Sequence, residues 1–383
     1  MVEQDLAAEY PYLSIAPGRV NLLGEHVDYN DGPVLPAAID RAVKLYYRPR
    51  KDGMLHIKAL DLGEEVNLSL KEITSDLEMR KQLPGWALYP AGVAWVLAQN
   101  GVAVGGLDAT FTSDIPMGSG LSSSAAVECA FAVAWNQLAG NPLDAMQLTT
   151  TSRRAENDYV GVSCGIMDQF ASVHGVEGHA LYLNTRTLDW HPLPLPDHTV
   201  IIIADSTIRR SLQHSGYNER RQGCEQAVAI LSKEIAGINA LRDITVKQFN
   251  QYAHLIPHPA DIFARHVVEE CARVDQAIPM LERGDVHGFG QLMFDCHRSL
   301  KDLYLVSTPE LDLLVDLAKK IPGVYGARLT GAGFGGCTVN LVDENKAPQV
   351  MEQIKTGYLK GAGLEANVYI CRASRGAHVV FNQ

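Results

Sequence analysis

A loop rich in glycine and serine, residues 116–126, is the part of the sequence whose residue types most directly indicate chemistry. Its two glycines allow the backbone to approach a bulky anion and to turn successive N–H groups toward it. Three serines then lead into an apolar segment, 125–138, which predicts a helix whose N-terminal N–H groups favour phosphate. The loop matches neither a Walker motif nor a dinucleotide-binding fingerprint. The alternative interpretation is a serine-capped helix that follows a tight turn.

A second glycine-rich segment, 329–336, reads LTGAGFGG and joins two predicted strands, 327–330 and 337–342. Four glycines in six residues cost backbone entropy unless another group must come close to them. A flexible hairpin is the alternative. The presence of two such loops in one chain strengthens the interpretation of each as a phosphate-binding loop.

Charged side chains gather in a third segment, 18–30, which contains Arg19, Glu25, His26 and Asp28. Carboxylates accept hydrogen bonds, histidine accepts or donates, and arginine donates in a fixed fork. This combination can clamp the hydroxyl groups of a sugar. A solvated polar loop is the alternative interpretation.

Two further acids lie between these motifs. Asp168 follows Cys164 and Gly165 in the segment CGIMDQ, where a loop opens a predicted helix. Its ordinary role would be to cap that helix. Glu156 lies on a predicted amphipathic helix, 143–160, and could equally be a surface acid.

Composition excludes several classes of function. The formal net charge of −11 argues against a nucleic-acid or anionic-membrane partner, although it permits a local phosphate site. Seven scattered cysteines without a C-x-x-C pair indicate reduced thiols and a cytoplasmic location. The acidic N-terminus is not a secretory signal, and the most apolar stretch, 125–138, is shorter than the ~20 residues of a membrane span.

The elements that must position these motifs alternate irregularly along the chain. Branched and aromatic residues predict strands, and apolar residues at helical spacing predict helices. The strands are predicted at 13–16, 43–48, 55–59, 66–70, 107–112, 199–204, 327–330, 337–342 and 367–371. The helices are predicted at 85–100, 125–138, 143–160, 216–235, 263–283, 286–300, 309–319 and 346–360, with another opened by the loop 165–174. This order favours an α+β fold.

The length of 383 residues favours two domains. A proline-rich stretch, 188–196, marks a boundary, so we predict one lobe at 1–195 and a second at 196–383.

Together these segments resemble the GHMP small-molecule kinases. Residues 17–36 are similar to the signature of members that phosphorylate galactose, 116–126 to the family's ATP-phosphate loop and 329–336 to its third glycine motif. The resemblance spans nearly the whole chain. It implies an N-terminal lobe like domain 2 of ribosomal protein S5, a ferredoxin-like C-terminal lobe and a site in the cleft between them.

The resemblance also implies an activity. ATP would transfer its γ-phosphoryl group to the 1-hydroxyl of α-D-galactose, the first committed step of galactose catabolism, with Mg²⁺ as cofactor. By similarity, Asp168 and Arg19 are catalytic, and Ser124 and Glu156 hold Mg²⁺. The residues that would contact the sugar are Glu25, His26, Asp28, Gly165 and Tyr217. Those that would contact ATP are Pro116, Met117, Gly118, Ser119, Gly120, Leu121, Ser122, Ser123, Ser124, Trp86, Tyr89, Gly331 and Gly333. A monomer is expected.

Several alternatives stay open at this point. Asp168 could be a late proton acceptor or a fixed anion that orients Arg19, because aspartate is a weak base at neutral pH. Trp86 and Tyr89 could flank adenine or simply pack the apolar stripe of a helix. The substrate could be arabinose, galacturonate or N-acetylgalactosamine, although a net negative sugar loop favours a neutral hydroxymethyl group. A non-catalytic galactose and ATP sensor is the remaining alternative.

Overall fold

Three β-sheets organise the computed structural model, which describes residues 2–116, 118–209 and 213–382. Within these ranges the strands are β1 (Tyr12–Asn21), β2 (Pro33–Val34), β3 (Pro36–Arg50), β4 (Met54–Ala59), β5 (Glu64–Ser69), β6 (Gly106–Ser113), β7 (His179–Asn184), β8 (Trp190–Pro194), β9 (Thr199–Asp205), β10 (Val324–Thr330), β11 (Cys337–Asp343), β12 (Asn367–Cys371) and β13 (His378–Phe381). The α-helices are α1 (Val2–Glu9), α2 (Leu70–Ser75), α3 (Leu88–Gln99), α4 (Ser123–Leu138), α5 (Ala145–Arg154), α6 (Met167–His174), α7 (Gln213–Leu231), α8 (Val246–Tyr252), α9 (Ala260–Glu282), α10 (Val286–Asp302), α11 (Pro309–Lys320) and α12 (Ala347–Ala362).

The first sheet has six strands in the order β13-β1-β3-β6-β4-β5. Only the β4–β6 pair is parallel among its described pairings. Helices α4 and α6 pack on its central strands. Because α4 is apolar on nearly every side, it is buried along most of its length, and Trp135 donates a hydrogen bond to the Gly105 carbonyl oxygen at 3.0 Å. The sheet therefore fixes both ends of the loop that precedes α4.

The second sheet has four antiparallel strands in the order β10-β11-β9-β12. With α12 between β11 and β12 and a helical connection between β9 and β10, this is the ferredoxin-like order that the resemblance implied. Residues 200–205 of β9 are all buried, which confirms the interpretation of that apolar run as a strand covered on both faces. The α+β prediction is also confirmed.

Sequence reasoning missed the short elements α1, α2, α8, β2, β7, β8 and β13. Strand β8 lies inside the proline-rich stretch that was interpreted as a boundary, and it pairs with β7 at the edge of a three-stranded sheet. Prolines are tolerated there because an edge strand has unpaired N–H positions. The last strand, β13, pairs with β1 in the first sheet. The lobe boundaries at 1–195 and 196–383 stay a prediction.

The predicted helix at 143–160 changes character before it ends. Helix α5 stops at Arg154, and residues Ala155–Val160 form a π-helical turn that ends at Gly161, where φ is 88°. Such turns are rare and are frequently found at functional sites. Here the turn carries Glu156 to the inside of the molecule.

The described helices include none that is long and apolar enough to cross a membrane. All seven cysteines are free thiols, and six of them are buried.

Candidate active site

A cleft of about 390 Å³ brings together all the predicted catalytic and sugar-binding residues. A volume of this size suits a small-molecule ligand. The predicted residues that line it are Arg19, Glu25, His26, Asp28, Glu156, Gly165, Asp168, Tyr217 and Gly331. They come from β1, the loop after it, the π-helical turn, the start of α6, α7 and the turn between β10 and β11.

Asp168 joins three parts of the site through one carboxylate. Its Oδ1 accepts a hydrogen bond from Arg19 Nε at 2.7 Å, and Oδ2 accepts one from Ser122 Oγ at 2.6 Å. Arg19 is 5% exposed, and its second nitrogen donates to the Gly120 carbonyl oxygen at 2.6 Å. The predicted catalytic pair therefore lies directly beside the predicted phosphate loop.

The phosphate loop leaves the start of α4 free to bind an anion. Ser122 occupies the N-cap position with φ 59°, yet its side chain makes no cap hydrogen bond, and its hydroxyl donates to Asp168 instead. The Ser122 side chain thus accepts no hydrogen bond from the first N–H groups of α4. This observation disfavours the simple serine-capped helix. Met117 lies outside the described residues.

The two glycine-rich segments touch each other. A Cβ at Gly331 would lie 3.2 Å from the Gly120 carbonyl oxygen, and one at Gly336 would lie 3.1 Å from that of Ser119. Both glycines also have φ near +80°, a conformation that side chains disfavour. The close approach and the backbone conformation together explain why glycine is required there. The Ser119 hydroxyl itself donates to the Pro116 carbonyl oxygen at 2.6 Å.

Ser124 and Glu156 are in contact, as a shared metal site requires. Ser124 Oγ donates to Glu156 Oε1 at 3.3 Å. Burial and the neighbouring Asp168 raise the pKa of Glu156, so a cation at this place would relieve an unfavourable concentration of negative charge. Ser123 is the first residue of α4, next to Ser124.

Glu25 is committed to protein partners. Its Oε2 accepts hydrogen bonds from the guanidinium of Arg328 and from the N–H of Gly331 at 3.0 Å. Arg328 is fully buried. The carboxylate therefore ties the sugar loop to the third glycine motif while also lining the cleft.

His26 is held in a hydrogen-bonded chain of aromatic side chains. Its Nδ1 lies 2.9 Å from the Tyr29 hydroxyl, which lies 2.7 Å from that of Tyr304. Nε2 lies 3.3 Å from the Ala332 carbonyl oxygen and must donate to it. Burial, with a contribution from His266, lowers the pKa of His26 to about 3. The ring is accordingly neutral and fixed in one tautomer.

Asp28 and Gly165 fit together without spare room. A Cβ placed on Gly165 would lie 1.7 Å from Asp28 Oδ2. Burial, reinforced by the charges of Asp168 and Glu25, raises the pKa of Asp28 to about 7. The Tyr217 ring lies 4.9 Å from that of Tyr29, between centroids, with the two planes inclined at 60°, and completes this wall of the cleft.

Among the predicted ATP contacts that the structure describes, Gly331 alone lines the cleft. The phosphate-loop residues 116 and 118–124 do not, and neither do Trp86, Tyr89 and Gly333. Trp86 packs 5.8 Å from the Phe111 ring and donates to Glu64 Oε2 at 2.6 Å. Burial, with a smaller contribution from the nearby charge of Glu156, raises the pKa of Tyr89 to about 12. A Cβ on Gly333 would lie 2.3 Å from the Val306 carbonyl oxygen, so that glycine serves packing.

Sequence reasoning missed several residues that hold the site together. Arg328 directly precedes the LTGAG motif, and its position before a phosphate-sized loop could have drawn attention to it. Tyr29 lies inside the sugar loop between acidic and amide residues, with no pattern to distinguish it. Tyr304 gave no signal at all, because its role depends on the packing of α10 against α9 and the sugar loop.

Family models match three parts of the chain. The GHMP kinases N terminal domain matches residues 89–176, and the GHMP kinases C terminal domain matches 277–360. Fold and site are thus those of a GHMP kinase. The galactokinase galactose-binding signature matches residues 4–49. A galactokinase of Roseiflexus sp. (strain RS-1) is 43% identical over 96% of this chain and 93% of the relative. The chain therefore belongs to the galactokinase family.

Other comparisons agree. A galactokinase of Chloroflexus aggregans is 42% identical, again over 96% of this chain and 93% of its own. The crystal structure of Lactococcus lactis galactokinase complexed with galactose superposes with a TM-score of 0.91 at 31% identity, covering 99% of this chain and all of that one. Methanococcus jannaschii mevalonate kinase, at 21% identity and a TM-score of 0.69, shares the fold over 95% of this chain and 98% of its own. The predicted family and two-lobed fold are confirmed.

Gly165→Ala should block the sugar side of the cleft. The new methyl group must displace Asp28, so we expect the KM for the sugar to rise roughly tenfold or more while the KM for ATP changes by less than about twofold. Gly105→Ala is the matched control, because its Cβ would meet nothing within 4 Å. Equal sugar KM values in the two variants would contradict the contact.

Asp28 should make the protein less stable as pH rises. Its pKa is raised from 3.8 in the unfolded chain to about 7 in the fold, so the folded state holds a proton that the unfolded state has lost between these values. The difference in unfolding free energy between Asp28→Asn and the unsubstituted protein should shift in favour of the variant by roughly 1–3 kcal/mol from about pH 5 to about pH 8. Urea unfolding at both pH values measures this, and a constant difference would show that Asp28 titrates normally.

Proposed function

We propose that this chain transfers the γ-phosphoryl group of ATP to the 1-hydroxyl of α-D-galactose, giving galactose 1-phosphate and ADP. The observation that carries the proposal is the Asp168 carboxylate, which is shared between Arg19 at the cleft and Ser122 at the start of α4. One acid thus connects a pocket of sugar-binding character with an anion site. The galactose-bound Lactococcus lactis relative supports the choice of sugar.

The protein contributes mainly position and charge to this reaction. A loose phosphoryl-transfer transition state carries its charge on the phosphoryl oxygens, so fixed donors around them stabilise it. The N–H groups at the start of α4 and the guanidinium of Arg19 are donors of this kind. Asp168 receives the hydroxyl proton late in the step or holds Arg19 and the hydroxyl in line; both roles use the same geometry.

Mg²⁺ fits the oxygen donors beside the phosphate loop. The described residues contain no group of three or more His, Cys, Asp or Glu that could bind a metal by themselves. This agrees with Mg²⁺, which usually takes one or two protein oxygens together with substrate phosphates. Ser124 Oγ and Glu156 Oε1, which lie 3.3 Å apart, are the oxygens that would hold it. When bound, Mg²⁺ neutralises charge on the β- and γ-phosphate oxygens.

The sugar side of the cleft selects for a neutral hexose. Glu25 and Asp28 place acidic oxygens there, and His26 is neutral. A uronic acid would bring a second negative charge to this wall, whereas a hydroxymethyl group would bring a hydrogen-bond donor. We further propose that the enzyme acts in the cytoplasm as a monomer.

Asp168→Ala should abolish turnover without loss of nucleotide binding. The substitution removes the acceptor for both Arg19 and Ser122, and we expect kcat to fall by about 10³-fold or more. Asp158→Ala is the control, since that half-exposed acid pairs with Arg154 at 3.4 Å and does not line the cleft. Substantial turnover by Asp168→Ala at saturating galactose would remove Asp168 from the mechanism.

The identity of the sugar is tested separately. The kcat/KM for ADP release, measured in a coupled assay, should be highest with galactose. Arabinose, galacturonate and N-acetylgalactosamine form the panel of alternatives. A higher kcat/KM for any of them would replace galactose in the proposal, and ATP binding without turnover on any sugar would favour the sensor.

A further inference from the structure

A fully buried amide lies behind the Glu156 carboxylate. The side chain of Gln169, on α6, has no exposure to solvent. Its Nε2 donates to Glu156 Oε2 at 2.6 Å and to Glu128 Oε2 at 3.0 Å. Glu128, on α4, is also fully buried. Both N–H bonds of the amide are therefore used, each on a different carboxylate.

This bridge decides which oxygen of Glu156 is available to a ligand. Gln169 occupies Oε2, and the Cys164 thiol lies 3.2 Å from the same oxygen. The other oxygen, Oε1, faces the Ser124 hydroxyl. Rotation of the amide would place its own oxygen against two carboxylates, so the orientation is fixed by electrostatics as well as by packing.

Two buried oxygens of the cluster remain without a hydrogen bond. Among the residues that the structure describes, Glu128 Oε1 and Gln169 Oε1 have no partner. Leaving a buried polar atom unpaired typically costs about 1–3 kcal/mol. An arrangement that accepts this cost serves something other than the stability of the fold. It reaches the cleft at Glu156 and at Cys164, whose thiol lies 4.0 Å from Gln169 Nε2.

We propose that Gln169, anchored by Glu128, is a positioning residue that directs Glu156 Oε1 toward the metal and thereby sets the affinity for Mg²⁺. The inference rests on the proposed function, because it requires Mg²⁺ at Ser124 and Glu156. Gln169 also follows Asp168 directly on α6. The same turn of α6 thus carries Asp168, which faces the sugar, and Gln169, which orients the Glu156 carboxylate toward the metal.

Gln169→Met tests this role with a side chain of similar size that cannot donate. Outer partners of metal ligands typically contribute 10–100-fold to metal affinity. We expect the affinity for Mn²⁺ in the presence of ADP, measured by electron paramagnetic resonance, to fall by about tenfold or more. Galactose affinity, measured by calorimetry, should change by less than about twofold. Gln137→Met is the matched control, because Gln137 accepts a hydrogen bond from Tyr47 at the far end of α4.

A second pair of variants keeps the test decisive if Gln169→Met unfolds. Glu128→Gln retains an oxygen that can accept from Gln169, whereas Glu128→Met does not. We expect the glutamine variant to keep Mn²⁺ affinity within about threefold and the methionine variant to lose about tenfold. Equal Mn²⁺ affinities within this pair, or an unchanged affinity in folded Gln169→Met, would overturn the proposal.

Glu156→Gln separates this proposal from the assignment on which it rests. Loss of Mn²⁺ affinity in Glu156→Gln but not in Gln169→Met would reject only the positioning role. Unchanged Mn²⁺ affinity in Glu156→Gln would reject the metal site itself, and the positioning role with it.

Discussion

The ion pair between Arg19 and Asp168 is the interaction on which the rest of the site depends. Its partners are 149 residues apart and come from β1 and from the start of α6. The Arg19 side chain is 6% exposed and that of Asp168 29%, so removal of the carboxylate would leave a mostly buried guanidinium without its counter-charge. The pair also fixes Ser122 and the Gly120 carbonyl group. The catalytic pair and the phosphate loop are consequently joined by direct hydrogen bonds.

The sugar loop, residues 21–30, is a product of contacts between distant parts of the chain. The N–H of Gly24 donates to Glu270 Oε1 at 2.7 Å, and His266 Nε2 lies 3.1 Å from the Glu25 carbonyl oxygen. Both partners lie on α9. Thr330, at the end of β10, accepts from the N–H of Asn21 at 3.0 Å. The loop that would recognise the sugar is thus shaped by elements that come more than 200 residues later.

Acidic groups concentrate around the cleft, and four of them have a defined partner. Asp168 is paired with Arg19, and Glu25 with Arg328. Glu156 and Glu128 share Gln169 instead of a cation. Like charges held this close favour a bound cation, since low-dielectric surroundings strengthen their repulsion. The cluster and the metal site proposed for it have the same electrostatic origin.

The sequence by itself determined the features that depend on local backbone chemistry. Glycine runs marked the two loops that approach each other, an apolar run marked α4, and the family's motifs marked the two-lobed fold. Tertiary structure decided how each side chain is used. The sequence interpretation could give Ser122 a cap and Glu25 a sugar contact, but only the fold shows the serine bonded to Asp168 and the carboxylate shared by Arg328 and Gly331. The short strand β8, the Tyr29–Tyr304 contact and the Gln169 bridge escaped prediction, because each is defined by partners that the chain brings together only after folding.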